Sequence, residues 1–175
     1  MDPNIVIREI VLTDAEAYNA HRRRIADEPD NTITHSYGEY VRTVEEDQQI
    51  LRAAIADPNQ QIYVAVLNEM IIGLCVCRGG TLSAVRHVVG LGIDIDQEYR
   101  GQGIGGALLT KMTDWARQHP AIRRIELTVF AHNYRAIGLY LKHGFVIEGL
   151  NKEAYFKLGH YIDAYSMARV FRKEG

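Results

Sequence analysis

The stretch Arg100-Gly101-Gln102-Gly103-Ile104-Gly105-Gly106 decides how this chain is to be read. Before it runs Val88-Val89-Gly90-Leu91-Gly92-Ile93-Asp94-Ile95, an apolar strand-like segment. After it, Ile104, Leu108, Met112 and Trp115 recur at spacings of four and three, the stripe of a helix that buries one side. The glycines therefore fall at a strand-to-helix turn. Four of them remove the Cβ atoms that would hold a ligand away from the main chain. The first amides of a helix lack internal partners and point outward, so they bind an anion, and the helix dipole adds attraction. Arg100 adds a full charge and a fork of donors. The turn has the chemistry of a pyrophosphate site.

Taken as letters, Gly101 to Gly106 satisfies the dinucleotide pattern G-x-G-x-x-G. Its context argues against that ligand. A dinucleotide fold runs its strand straight into the first glycine, usually in the first βαβ unit. Here Asp96-Gln97-Glu98-Tyr99-Arg100 intervenes, and the turn lies beyond the middle of the chain. The acidic residue expected further on falls at Glu126, inside the next strand and not at its end.

Bulk properties narrow the classes. A chain of 175 residues reads most simply as one domain, 1–175, long enough to bury a sizeable core. A net charge of −2 with no basic block excludes a nucleic-acid backbone as a natural partner. The two cysteines, Cys75 and Cys77, share one face of a strand and read as buried thiols; with no His cluster beside them, no metal site is expected. No apolar run approaches the ~20 residues of a membrane span and no signal peptide is seen, so a soluble, cytoplasmic protein without a membrane partner is expected.

Along the chain, residues 4–12 alternate like an edge strand, and Thr13-Asp14 is placed to cap a helix reaching about Asp27. Residues 28–40 are poor in large aliphatics and read as a loop. Thr43-Val44-Glu45-Glu46 is a capping box for a second helix ending near Asp57-Pro58. Residues 61–67 and 70–78 make a hairpin around Asn68-Glu69. Beyond the glycine turn come a strand at 125–130, a short helix with Ile137, Tyr140 and Leu141 inward that Gly144 ends, and two last strands at 145–148 and 155–170. Hairpins followed by strand–helix–strand–helix–strand give a mixed sheet with helices on both faces.

Arg100, Gly103 and Gly105 match the pyrophosphate loop R/Q-x-x-G-x-G/A, and Asn133, Ala136, Tyr140, Gly144 and Phe145 match N-x-x-A-x-x-x-Y-x-x-x-G-F some thirty residues on. On these two motifs the chain resembles the GNAT superfamily of acetyl-CoA-dependent N-acetyltransferases. The tail from Gly149 to Val170, with Tyr155, Gly159, Asp163, Ala164, Tyr165 and Met167-Ala168-Arg169-Val170, is similar to bacterial broad-specificity L-amino-acid N-acetyltransferases. The likeness covers about the last ninety residues well and the first eighty loosely. It implies an α/β (mixed α+β) fold with a mostly antiparallel central sheet of about seven strands, and acetyl-CoA as cosubstrate without a metal.

The resemblance also implies a division of labour. Arg100, Gly101, Gln102, Gly103, Ile104, Gly105 and Gly106 would hold the donor's pyrophosphate, while Ile93, Asp94 and Ile95 would pair with its pantetheine arm. A backbone N–H in that strand would face the thioester oxygen. Asn133 would hydrogen-bond the arm, although Asn at this position is equally a helix N-cap. Tyr140 is the candidate general acid: a phenol with an ordinary pKa of ~10 carries its proton at neutral pH. From periodicity alone it is a core aromatic. Many members carry an acidic base at the position that aligns with Gly90, which has no side chain to offer. His87 is the nearest titratable replacement, with Asp94 a second candidate and solvated or packing roles open for both.

The acceptor pocket is expected to be lined by the first helices, the loop 28–40 and the hairpin 149–160, with Tyr37, Glu39 and Tyr155 as candidate contacts. The expected function is transfer of acetyl to a primary amine of a small molecule by direct attack through a tetrahedral intermediate, with an L-amino acid or derivative as leading acceptor. A protein N-terminus, an antibiotic or herbicide amine and a polyamine are rivals within the same chemistry. A CoA-binding sensor without turnover and a nucleotide-dependent oxidoreductase are rivals of other classes. The two last strands also suit a homodimer.

Overall fold

Ile62 and Val64 alternate with Tyr63 and Ala65 along one strand, and all four are buried. A strand apolar on both faces needs cover on both, so the sheet must carry helices on two sides. The computed structural model describes residues 2–29, 31 and 33–172 and has that architecture. Its strands are β1 (Val6–Glu9), β2 (Gln60–Leu67), β3 (Met70–Gly79), β4 (Val88–Ile95), β5 (Arg124–Phe130), β6 (Val146–Lys157) and β7 (His160–Val170). Its helices are α1 (Ala15–Asp27), α2 (Val44–Ala56), α3 (Ile104–Gln118) and α4 (Tyr134–Lys142). The strands form one seven-stranded sheet in the order β1-β2-β3-β4-β5-β7-β6. Every neighbouring pair is antiparallel except β4 and β5, which are parallel and joined across the sheet by α3.

Two cores result. Tyr18, Leu51, Ile62, Val64, Leu74 and Val76 pack α1 and α2 on one face. On the other, Leu108, Met112, Ile137 and Phe145 from α3, α4 and the segment after it meet Tyr63, Ala65, Cys75 and Ile125. Leu108 and Leu109 are fully buried, each contributing about 1.5–3 kcal/mol of transfer free energy. Cys75 and Cys77 are free, buried thiols in this second core.

The Thr43 capping box forms as expected: Thr43 Oγ1 accepts from Glu46 N at 3.2 Å, and Glu46 Oε2 accepts from Thr43 N at 2.8 Å. Asp14 behaves differently from the cap expected of it. Its carboxylate accepts from Val11 N at 2.8 Å and takes both prongs of the Arg8 guanidinium, at 2.7 and 2.8 Å. A charged, forked partner outcompetes the neutral amides of its own helix, and a 3₁₀ turn at Leu12–Asp14 leads into α1 instead.

The end of the chain also differs from expectation. β6 is continuous from Val146 to Lys157, and the chain reverses at Leu158-Gly159, both with positive φ (51° and 80°). The sequence places its last two strands at 145–148 and 155–170, but β6 runs through that gap as an edge strand whose polar side chains stay in water. The irregularity is a bulge: pairing slips between Asn151 and Tyr155, Glu153 has φ 49°, and Asp163 accepts from Glu153 N (2.9 Å) and Lys152 Nζ (2.7 Å). In α4, Ile137 and Tyr140 face inward while Leu141, expected beside them, is half exposed.

One irregularity positions everything that follows. β4 pairs with β5 only over Val88, Val89 and Gly90. Past Gly90, β4 follows β3 as far as Ile95, while β5 follows β7 along its whole length. The sheet parts between them.

Candidate active site

The parting opens a cleft of about 650 Å³, walled by the second half of β4, the end of β5, the glycine turn and α4. Asp96 N donates to Ile72 O at 3.0 Å, so the main chain at Asp96 faces β3. Strand alternation then turns Asp94 toward β3 as well, and leaves the main-chain groups of Ile93 and Ile95 on the open edge. Ile95 O is already taken by Arg100 Nε at 2.9 Å. Ile93 is thus the residue whose N–H and C=O stand available along the gap. Asp94 lines the cleft with its side chain.

At the floor of the cleft, Gly101 and Gly103 have φ 82° and 86°, a conformation L side chains rarely adopt. Gly103 is the N-cap of α3, and an added Cβ there would meet no protein atom within 4 Å. The first helical bond of α3 is Ala107 N to Gly103 O, 3.1 Å, so the amides of Ile104, Gly105 and Gly106 have no intrahelical acceptor. The Ile104 side chain is in the core, so its contribution to the cleft is main chain. The Arg100 guanidinium is ion-paired with Glu28, whose other oxygen accepts from Gln97 N at 2.9 Å. It is a cation already engaged. Arg135 stands beside it: an added Cβ at Gly101 would lie 3.1 Å from Arg135 Nη2. The cradle therefore carries two guanidiniums and a row of unpaired amides, which suits a multiply charged anion.

Tyr140 enters the cleft wall from α4 and is 6% exposed. Burial raises its pKa, and Cys75 and Asp94 add to the rise, so the phenol keeps its proton at all ordinary pH. Asn133 lines the cleft and caps α4, its Oδ1 accepting from Ala136 N at 3.1 Å.

Asp94 is the one carboxylate lining the cleft among the described residues. His21 Nε2 lies 2.6 Å from its Oδ1 and Arg22 Nη1 lies 2.7 Å from its Oδ2. The other face of the fully buried His21 ring meets Asp96, Nδ1 to Oδ1 at 2.8 Å, close enough for an ion pair but not aligned as a hydrogen bond. Burial would lower the His21 pKa, yet the neighbouring Asp94 and Asp96 carboxylates outweigh it and raise it to about 9. Burial would likewise raise the Asp94 carboxyl, but His21 and Arg22 together hold it low. Asp94 is a fixed negative charge, a poor acceptor of protons.

The structure thus gathers Ile93, Asp94, Ile95, Arg100, Gly101, Gly103, Ile104, Gly105, Gly106, Asn133 and Tyr140 around one cleft. It does not bring His87 there. His87 is exposed at the far end of β4, its carbonyl accepting from Arg123 N and Arg124 N, where β4 and β5 are still paired. Gln102 is outside the lining and donates to Glu98 O at 3.2 Å. Tyr37 is exposed and Glu39 is turned onto Ser36 N, both away from the cleft. Tyr155 does line it, its ring 5.0 Å from that of Phe130. The sequence reading missed Arg22, Arg78 and Arg135, all lining residues. Arg135 was legible in principle, two positions after the Asn133 cap and so in the first turn of α4.

The cleft thus combines a parted sheet, a glycine-walled cradle suited to an anion and a buried phenol in its wall. Sequence comparison supplies the class: residues 20–145 match the family described as Acetyltransferase (GNAT) family, and the chain belongs to it. Over 84 residues it is 43% identical to the L-amino acid N-acetyltransferase AaaT of Escherichia coli (strain K12); the match covers 48% of this chain and 52% of that protein, so the chain spans about half the length of this curated relative. It superimposes on an acetyltransferase of the GNAT family from Streptococcus pneumoniae with a TM-score of 0.92 and 32% identity, covering 96% of this chain and 99% of the other. It shares its fold with yncA from Salmonella typhimurium, solved with its cofactor acetyl-CoA, at a TM-score of 0.86 and 17% identity over 98% and 96% of the two chains.

Proposed function

We propose that this protein transfers acetyl from acetyl-CoA to the primary amine of a small molecule, an L-amino acid or close derivative being the leading acceptor. The observation that carries the reading is the meeting, in one cleft, of an open strand edge, a glycine cradle and the Tyr140 phenol. Acetyl-CoA brings the activated acyl group as a thioester. The amides of Ile104, Gly105 and Gly106, with Arg135 and Arg100, fit its diphosphate. The main chain of Ile93 fits the pantetheine amides, and its N–H is the donor available to the thioester oxygen. The neutral amine attacks the carbonyl carbon, the C–N bond forms and the C–S bond breaks. Tyr140 gives its proton to the departing sulfur and recovers one from solvent, while the amine's proton leaves to water.

This account uses no side-chain base, in keeping with Asp94 being tied to His21 and Arg22. Deprotonating a peptide α-amine of pKa ~7.8 at pH 7 costs only about 1 kcal/mol, against about 4.6 for a lysine side chain, and a free amino acid, which ionises higher than a peptide terminus, lies between the two. The charge of the lining supports the acceptor class: Arg78 lines the cleft, and the one carboxylate there among the described residues, Asp94, is already matched by Arg22 and His21. Such a wall attracts an acceptor's carboxylate and repels a polyamine. The name of the AaaT relative points the same way. Exposed Val146, Ile147 and Leu150 along the edge strand β6 support a homodimer; sedimentation at the monomer mass would reject it.

The test is thiol release from acetyl-CoA with the twenty L-amino acids, a short peptide and spermidine, paired with calorimetry of acetyl-CoA alone. Fastest release is expected with free amino acids. Acetyl-CoA binding without release from any acceptor would leave a sensor, and absence of binding would sink the reading altogether.

A further inference from the structure

Of the twelve residues of β6, the one that is buried is a lysine. Its neighbours Phe156 and Leu158 are 65% and 68% exposed, whereas Lys157 is 8% exposed. No carboxylate pairs with it among the described residues. Its ammonium sits instead among four oxygens: Asn31 O (3.1 Å), Ile33 O (2.8 Å), His35 O (2.9 Å) and Asn31 Oδ1. The arrangement resembles a cation held by carbonyls, with the cation supplied by the chain. Asn31 continues the chain of contacts, its Nδ2 donating to Ala26 O at 2.8 Å and Glu28 O at 3.2 Å, so the C-terminal end of α1 is joined to the same charge. A positive charge at a helix C-terminus is favourably placed.

The oxygens come from the middle of a loop whose two ends are held by other contacts, Glu28 to Gln97 N (2.9 Å) at one end and Tyr40 Oη to Asp47 (2.8 Å) at the other. Residues 28–43 contain no helix or strand among those described, yet Asn31, Ile33 and Thr34 line the cleft. Tyr155, two residues before Lys157 and hence on the same side of the strand, lines it too. The bulge at 152–154 sets the register of both.

We propose that Lys157 is the positioning residue of the acceptor side: its ammonium draws the 28–40 loop onto the end of the β6–β7 hairpin, and so sets affinity for the amine acceptor but not for acetyl-CoA. Without it, carbonyls of Asn31, Ile33 and His35 lose their donor and turn to water, carrying Ile33 and Thr34 away from the cleft. The kinetic half of this inference rests on the acetyltransferase reading.

Lys157→Met keeps an unbranched side chain one atom shorter and removes the three donors; Lys157→Arg keeps the charge but replaces a compact ammonium with a planar fork that does not fit four converging oxygens. With the best acceptor from the L-amino-acid panel, Lys157→Met should raise the acceptor KM about tenfold or more, with kcat and the calorimetric Kd for acetyl-CoA within twofold. Lys157→Arg should fall between. Amide hydrogen exchange in 33–39 should quicken at least tenfold in Lys157→Met while that of α3 stays unchanged. An acceptor KM within twofold of wild type, or acetyl-CoA Kd rising in step with it, overturns the proposal. If wild type acetylates nothing in the panel, the functional reading fails, and exchange alone decides whether Lys157 holds the loop. Where Lys157→Met does not fold, Lys157→Arg carries the same comparisons.

Discussion

Tyr140 and Gly103 make opposite demands on a substitution. Tyr140→Phe removes one hydroxyl from a buried wall and leaves the ring packed at 5.7 Å from Phe145. Loss of a general acid of this kind lowers kcat by about 10²-fold or more. Acetyl-CoA affinity should survive, as calorimetry would show; unchanged turnover would remove Tyr140 from the chemistry. At Gly103, alanine meets no protein atom, so the only folding cost is its φ of 86°, on the order of 1–2 kcal/mol. Its methyl group would nevertheless project into the cradle. Acetyl-CoA Kd should rise far more than thermal stability falls, and equal small effects on both would show that no ligand approaches Gly103.

Among the elements, α1 and the end of β4 are clipped together by charge. His21, Arg22 and Arg24 reach Asp94 and Asp96, with Arg24 Nη2 to Asp96 Oδ2 at 2.9 Å. The linkage has a definite sign. The His21 pKa is about 9 in the fold and 6.5 as the reference, so its stabilisation is fully present below ~6.5 and disappears as pH rises through about 9. That swing is at most about 3 kcal/mol. Asp94 works in reverse: its lowered pKa stabilises above the ordinary carboxyl value and is lost as pH falls through the folded one. Melting temperature measured from pH 6 to pH 10 should therefore decline more steeply in wild type than in His21→Gln. Parallel curves would mean that His21 is not charged in the fold.

At the scale of the molecule, cations recur around the cleft. Arg100 and Arg135 accompany the glycine cradle, and Arg22 and Arg78 line the cleft as well. On the proposed function, Arg78 would meet the acceptor's carboxylate. Arg78→Gln should raise KM for an L-amino acid several-fold while leaving that for its amide, already poor, almost unmoved. Equal effects on both would dismiss the charge argument. With no side-chain base in the lining, kcat/KM for the acceptor should climb with pH along the amine's own titration, and acceptors of lower amine pKa should reach their plateau earlier. A plateau at one pH for all acceptors would instead reveal a protein base.

The amino-acid sequence by itself determined whatever depends on neighbours in the chain. The helical stripe of α3, the Thr43 box, the Asn68-Glu69 turn and the glycine nest arise from spacing and local backbone preference, and the structure holds each where the residues indicate. Contacts far apart in sequence were not legible. Asp94 looked like a base until His21, 73 positions away, was seen against it. His87 looked near the cleft because it is near Gly90 in number, but a strand of eight residues carries its two ends apart by about 3.3 Å per residue. Lys157 carries no local signal of its role, and only the loop 122 to 126 residues before it makes it a buried cation. Where β4 leaves β5 is likewise a matter of which strands find partners elsewhere in the sheet. Such choices minimise unpaired polar groups over the whole fold, a sum that no short window of sequence contains.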